Sequence, residues 1–265
     1  MPNQTPELLL MMTSNELKLT IGYSTLAQRA KNIKFPQERA DREIIVIVQS
    51  PNGSEVSLEM EDEQLIHLKS RGVAKSRNAA LRNASGKYLL FGDDDVTFNE
   101  DGIQEMIHYF ETHPDCAIVM AQASDETGIL RKNYPKRRLK LTHFNSAKAA
   151  TYEMMVRVDA MRDKGIKFDE NFGAGVENYL GDEYIFITDA LKQGLRGVFL
   201  PVTVAVHPKD SSGSGWGSQR DLSARAAVFT RVFGAAAPIA RALFLLKSRN
   251  GRVGFINAAR FIIGR

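Results

Sequence analysis

The chain has 265 residues, 43% hydrophobic and 25% charged, the balance of an ordinary globular protein long enough to bury a full core. Its one cysteine, Cys116, excludes an internal disulfide, suits a reducing compartment and, ahead of Ala117-Ile-Val-Met, reads as a buried small hydrophobe. The net charge of +4 is lopsided: residues 220–265 carry nine Lys/Arg against Asp221 alone, a net +8, so the first 219 sum to −4.

Leu8–Met12 is a short apolar run with no basic leader or small-residue cleavage site, and no stretch of about 18 uninterrupted apolar residues is present to cross a bilayer. The expectation is a cytoplasmic chain, peripheral on the inner face of the plasma membrane if it meets a membrane at all. Leu17–Thr25 reads as a strand and Leu26–Ile33 as a short helix stopped before Pro36. Glu43–Gln49 is a continuous apolar strand ended by the turn Ser50-Pro-Asn-Gly; unbroken hydrophobicity predicts cover on both faces. Val73–Ala84 is a helix, Lys87–Phe91 a strand, Asp101–Thr112 a helix and Ala117–Ala121 a strand. These repeats predict an α/β fold with a mostly parallel sheet flanked by helices.

Residues 124–146 are polar, basic and without clear period. Tyr152–Val158 reads as a strand, Phe168–Leu180 as a turn-rich segment, Tyr184–Lys192 as a helix closed by Gly194, and Gly197–His207 as a strand broken near Pro201. The Gly-rich loop 211–217, with Trp216, reads as a lid or as a linker. In the tail, Ala226–Leu246 is apolar with interspersed arginines and Phe255–Ile263 is amphipathic. Such basic helices fit either an anionic membrane surface or packing on the body or on a second subunit. The division expected is a catalytic domain over 1–219 and a helical extension over 220–265.

Ligands of parallel sheets gather beyond the carboxyl ends of the strands. Ser24, Thr25, Gln49 and Asp93-Asp94-Asp95 all fall at that edge. Three adjacent carboxylates repel one another unless a cation neutralises them, and oxygen donors suit Mg2+ or Mn2+ shared with phosphates. An EF-hand is excluded, because the sixth position from Asp93 is Phe98 and the twelfth is Gln104. The alternative is a solvated turn ahead of a helix. Lys75 and Arg77, in the first turns of a helix, fit a pyrophosphate or a solvated basic face. Asp182-Glu183 opens a helix, as a cap or as a general base. His207 ends a strand before a polar loop, as a structural side chain or a ligand.

Gly72-Val-Ala-Lys-Ser-Arg-Asn, Ala84-Ser-Gly-Lys-Tyr-Leu-Leu-Phe-Gly-Asp-Asp-Asp, Phe168-Asp-Glu-Asn-Phe-Gly, Gly181-Asp-Glu and His207, in that order, resemble bacterial family 2 glycosyltransferases of the GT-A fold over residues 17–210. The resemblance is nearest to the branch that builds capsule, exopolysaccharide or lipopolysaccharide. It implies an inverting, metal-dependent transfer from a nucleotide-sugar donor, of the UDP-sugar class, to a saccharide or lipid-linked acceptor. Asp93 and Asp95 would be the DxD acids, with Asp95 on a Mn2+ or Mg2+ ion, Asp93 toward the ribose and Asp94 beside them. Ser24, Thr25 and Gln49 would line the nucleoside pocket, Lys75 and Arg77 lie near the nucleotide, Glu183 act as base beside Asp182, and His207 meet the metal or diphosphate. Three positions depart from the family pattern: Gln49 replaces an acid, the paired acids run Asp-Glu instead of Glu-Asp, and the first strand ends Gly-Tyr-Ser-Thr.

Other classes fit less of the chain. A nucleic-acid binder with a basic tail would interleave more aromatic residues with the cations, and a nucleotidyltransferase or pyrophosphorylase would carry a Gly-rich loop after its first strand. A donor-binding pseudoenzyme would turn Glu183 away from the sugar. Nucleic acid is therefore not an expected partner; an anionic membrane surface and a second copy of the chain both stay open.

Overall fold

The computed structural model describes residues 17–54, 56, 58, 64–147, 149–208, 217–247 and 253–264. The expectations for Leu8–Met12 and for most of the loop 211–217, Trp216 included, lie outside them.

Among the described residues, nine strands form one sheet. β1 (Leu19–Leu26), β2 (Arg42–Gln49), β3 (Leu65–Leu68) and β4 (Tyr88–Asp93) run parallel in the order β3-β2-β1-β4. Beyond β4 the sheet turns mixed. β8 (Met154–Arg157) is antiparallel to β4 and to β6 (Cys116–Ser124), which pairs in parallel with β9 (Arg196–Val206). The short β5 (Thr97–Phe98) and β7 (Leu139–Lys140) add to β9 antiparallel. The mostly parallel order expected from the repeats thus holds for the first four strands and the β6–β9 pair.

Both faces of the sheet are covered, as the unbroken apolar runs require. Side chains alternate across a strand, so Val46 and Val48 join one core with Ile21, Tyr23 and Leu90. Ile45 and Ile47 join the other with Leu89 and Phe91. The first core is closed by α2 (Glu100–Thr112) through Ile103, Met106 and Phe110. Asn99 caps α2, its side-chain oxygen accepting from Gly102 N at 3.2 Å. The second core is closed by α1 (Val73–Asn83), α3 (Val158–Asp163) and α4 (Asp182–Lys192). Phe168 stacks on Phe186 of α4 at 4.2 Å and meets Phe91 edge-on at 5.3 Å. Burying each such ring contributes about 1.5–3 kcal/mol, and together they fix the amino end of α4 against the sheet.

Some elements differ from the sequence reading. The first helix is a 3-10 turn, Ala27–Asn32, and the expected strand from Tyr152 begins as another, Thr151–Glu153. Pro201 does not end β9; the β6–β9 register slips across it, from Met120↔Phe199 to Gln122↔Thr203, which accommodates a residue that cannot donate to the ladder.

The C-terminal segment forms α5 (Gln219–Phe233), α6 (Ala237–Lys247) and α7 (Phe255–Ile263), with a turn at Gly234–Ala236. α5 docks on the sheet-and-helix body through Val228 and Val232, which pack with Tyr184 and Ile185 of α4. The buried Arg241 on α6 donates to Ala226 O of α5 at 3.0 Å and Ile262 O of α7 at 2.9 Å, and to the Thr230 hydroxyl. One guanidinium therefore ties the three helices together.

Candidate functional site

The parallel register puts Ser24 of β1 opposite Asp93 of β4, and Leu26 opposite Gln49 of β2, so the expected strand ends do converge. At this edge the hydroxyls of Ser24, Ser50 and Ser76 are buried without a hydrogen-bond partner among the described residues. Leaving such a group unsatisfied costs about 1–3 kcal/mol. Gln49 and Thr25 are already engaged. The Gln49 amide donates to Gly72 O at 2.7 Å, clamping the loop into α1, and the Thr25 hydroxyl donates to Asp94 at 2.6 Å.

The three acids of the triplet have separate surroundings. Asp94 is buried, held by Thr25 and by an ion pair with Arg29 from the 3-10 turn after β1. Burial pushes its carboxyl above the usual range against the pull of Thr25 and Arg29. Asp95 is open to solvent, 3.0 Å from Arg29 and 3.5 Å from His207 Nε2. Asp93 lies 3.4 Å from Arg77. Burial raises its pKa, Arg77 opposes the rise, and Asp95 and Asp182 add to it. The solvated-turn alternative therefore fails for Asp94, which is a buried anchor.

His207 is oriented by two contacts. Its ring stacks on Tyr152 at 4.8 Å, and Nδ1 lies 2.8 Å from Pro208 O. The carbonyl can only accept, which places a proton on Nδ1 and leaves Nε2 facing Asp95. A ring nitrogen fixed by a backbone carbonyl while the other is free is the usual arrangement of a metal-ligating histidine. No group of three or more His, Cys, Asp or Glu side chains among the described residues is arranged to hold an ion alone. Asp95 and His207 instead fit an ion that takes the rest of its coordination from outside the protein, as Mg2+ commonly does.

The helix cations divide. Lys75 is half-buried in the first turn of α1, whereas Arg77 is buried and turned to carboxylates. It pairs with Asp182 at the start of α4, reaches Asp93, and sits 5.8 Å over the Phe168 ring. Its solvated-face alternative is excluded. Asn78 makes a second link, accepting from Phe168 N at 2.8 Å and donating to Phe168 O at 3.0 Å. Helix α1 thus joins the strand-end acids to the paired acids.

Glu183 is half-buried beside the fully buried Asp182. Burial pushes the Glu183 pKa up to about 8, assisted by the charge of Asp182 and a hydrogen bond with it, and opposed by Arg77. A carboxyl titrating near neutrality is what a general base requires. Gly173, at φ +99°, makes this possible: a Cβ there would stand 2.8 Å from the Asp182 carboxylate. Sequence reasoning missed Arg29 and Tyr152, which reach Asp95 and His207 through tertiary packing, with no spacing signal.

The family model of glycosyl transferase family 2 matches residues 23–162, more than half of the chain. Among solved structures, S. aureus TarS 1-349 in complex with UDP is similar over 92% of this chain and 69% of its own, with 15% identity and a TM-score of 0.55. TarS 1-349 in complex with UDP-GlcNAc gives 0.57 at 15% identity over 86% and 71%. The mannosyltransferase PcManGT from Pyrobaculum calidifontis, in complex with GDP-Man and Mn2+, gives 0.53 at 14% identity over 94% and 79%. At these identities the likeness is one of fold. No curated protein matches in sequence.

Proposed function

The chain belongs to glycosyl transferase family 2, and from that premise we propose that it transfers a sugar from a nucleoside-diphosphate donor, of the UDP-sugar class, to a hydroxyl of a saccharide or lipid-linked acceptor in surface-polysaccharide synthesis. One observation carries the reading. Arg77 bridges Asp93 to Asp182, so the acidic strand end and the helix start that carries the raised-pKa Glu183 are held together. The UDP assignment draws further support from the UDP and UDP-GlcNAc in the TarS structures.

In the proposed reaction the Glu183 carboxylate accepts the proton of the acceptor hydroxyl as its oxygen attacks the anomeric carbon. The bond from that carbon to the diphosphate oxygen breaks on the opposite face, and its electron pair leaves with the nucleoside diphosphate. Configuration is inverted by the single displacement. Asp95 and His207 would hold a Mn2+ or Mg2+ ion, which when bound supplies counter-charge to the leaving diphosphate. Asp182 is a positioning residue: through Arg77 it fixes the start of α4, and its charge keeps the Glu183 proton affinity high. The buried hydroxyls of Ser24 and Ser50 would meet the nucleoside, and Lys75 the phosphates.

A thermal-shift panel of nucleoside diphosphates and sugar nucleotides, with and without Mn2+, tests this. At a hundredfold excess over Kd a ligand stabilises by about 2.7 kcal/mol, a shift of several degrees. Uridine compounds should stabilise the chain only when metal is present. A flat panel would overturn the reading.

A further inference from the structure

Six of the ten large apolar side chains exposed among the described residues lie on α6 and α7, from Leu243 at 48% to Phe255 at 89% exposure. Their spacing is ordered. On α6, Ile239, Leu243 and Leu246 follow at i, i+4 and i+7, one stripe of a helix, while Ala237 and Arg241 are buried on the opposite side. On α7, Phe255, Ile256 and Ile263 lie on the side away from Phe261, the buried residue that meets Phe229 of α5 at 6.0 Å. Both helices are anchored to α5 by their inner faces, so each stripe points away from α5.

The segment that bears this surface carries charge of one sign and, the buried Arg241 apart, Lys247 and Arg260 are the cations described on α6 and α7. Residues 237–265 contain six Lys/Arg and no acid, and Lys247 and Arg260 are exposed beside the stripes. We infer that the outer face of α6 and α7 is a docking surface for an anionic lipid bilayer, lying in the headgroup plane with its apolar stripes inserted and its cations on the lipid phosphates. Apolar area and electrostatic attraction are the two terms that hold amphipathic helices at such an interface.

A crossing mode is argued against by the contacts. The helical run Gln219–Lys247 has the length and hydropathy of a membrane span. Yet α5 is packed on α4, the run turns at Gly234, and Arg241 is buried between helices by three acceptors. Pulling the run straight into a bilayer would break all of these. The docking surface does not depend on the transfer reaction, and its test needs no turnover.

The test is co-sedimentation of the full chain with vesicles of phosphatidylcholine alone and with about 30% phosphatidylglycerol added, in low and high salt. Binding is expected to the anionic vesicles, at least tenfold above phosphatidylcholine, and to fall severalfold in high salt, as interfacial charge pairs are screened. Leu246→Ser with Phe255→Ser and Ile256→Ser should lower it at least tenfold. These positions are exposed, so the far-ultraviolet circular dichroism and Tm should stay unchanged. Lys247→Gln with Arg260→Gln should lower binding to anionic vesicles without altering the residual binding to phosphatidylcholine. Equal binding to both vesicles would overturn the proposal. So would resistance to alkaline carbonate extraction, the mark of a spanning helix. A third result overturns it as well: no vesicle binding, with a dimer in light scattering that the serine variant dissolves.

Discussion

Asp182 and Glu183 are neighbouring acids with opposite surroundings, and the difference assigns their work. Asp182 is buried against Arg77, while Glu183 beside it is half-buried with a raised pKa. Glu183→Gln should cut turnover by about a hundred- to ten-thousand-fold and leave the metal-dependent donor shift in place; a turnover near wild type would move the base elsewhere. Asp182→Asn removes a charge that holds the Glu183 proton and releases Arg77 toward it. The ascending limb of kcat against pH should therefore move to lower pH, with a stability loss of about 3 kcal/mol from the broken buried pair. A limb that stays or rises would sink the coupling. At the triplet, Arg29 stands where a metal's charge would act, 3.0 Å from Asp95. Arg29→Ala should tighten Mn2+ binding about fivefold in calorimetry, the equivalent of one exposed ion pair of about 1 kcal/mol; weaker binding would make Arg29 part of the anion site instead. The acids and His207 were legible in the sequence because motif order and strand ends mark them. Arg29 and Tyr152 were not, because each meets its partner across a large gap in sequence that only the fold closes.

Elements were legible where a single period governs them. The β-branched runs of β1 and β2 and the helices α1, α2 and α4 follow from hydrophobic pattern and caps. β3 was not read, since Leu65–Leu68 is four residues long and pairs only with β2. Pro201 marked a break that the fold replaced with a slipped register, because the β6–β9 pairing resumes beyond it. The junction of α4 with α5 also depends on a detail outside any period. Gly181 has φ +86°, and a Cβ there would stand 2.6 Å from Val228 Cγ2 on α5. Gly181→Ala should lower stability by about 1–3 kcal/mol from backbone strain, plus a clash that pushes α5 from the helix bearing the paired acids. Adding Val228→Ala should recover the clash and not the strain, so the two changes should couple favourably in a double-mutant cycle by denaturant unfolding. Strict additivity would mean that α5 does not rest on Gly181.

Across the whole molecule, acids fall into two groups whose effects on stability oppose each other in pH. Asp41, Glu100 and Asp169 have pKa values held down by hydrogen bonds to Arg39, Arg42 and Arg231, in each case against the upward push of burial, which is the largest single influence at Glu100 and Asp169. They stabilise the fold above their unfolded pKa, and that contribution is lost as acid protonates them. Asp93, Asp94, Glu153 and Glu183 are pushed up by burial. For these the folded chain binds protons more tightly than the unfolded one, so the contribution is complete at low pH and disappears as pH rises. For Glu183 the window runs from its ordinary value of 4.5 to about 8. Within it one group lowers stability by at most about 1.4 kcal/mol per pH unit. Denaturant midpoints of the metal-free chain should therefore fall between about pH 6 and about pH 8, and Glu183→Gln should flatten the fall by removing one titrating group. Three of the four raised acids belong to the strand-end triplet or the paired acids, so a bound cation and its diphosphate should stabilise the chain more at the alkaline end than at pH 6. A midpoint that rises with pH in the metal-free chain, or a slope unchanged by Glu183→Gln, would show that Glu183 does not hold its proton in the folded state.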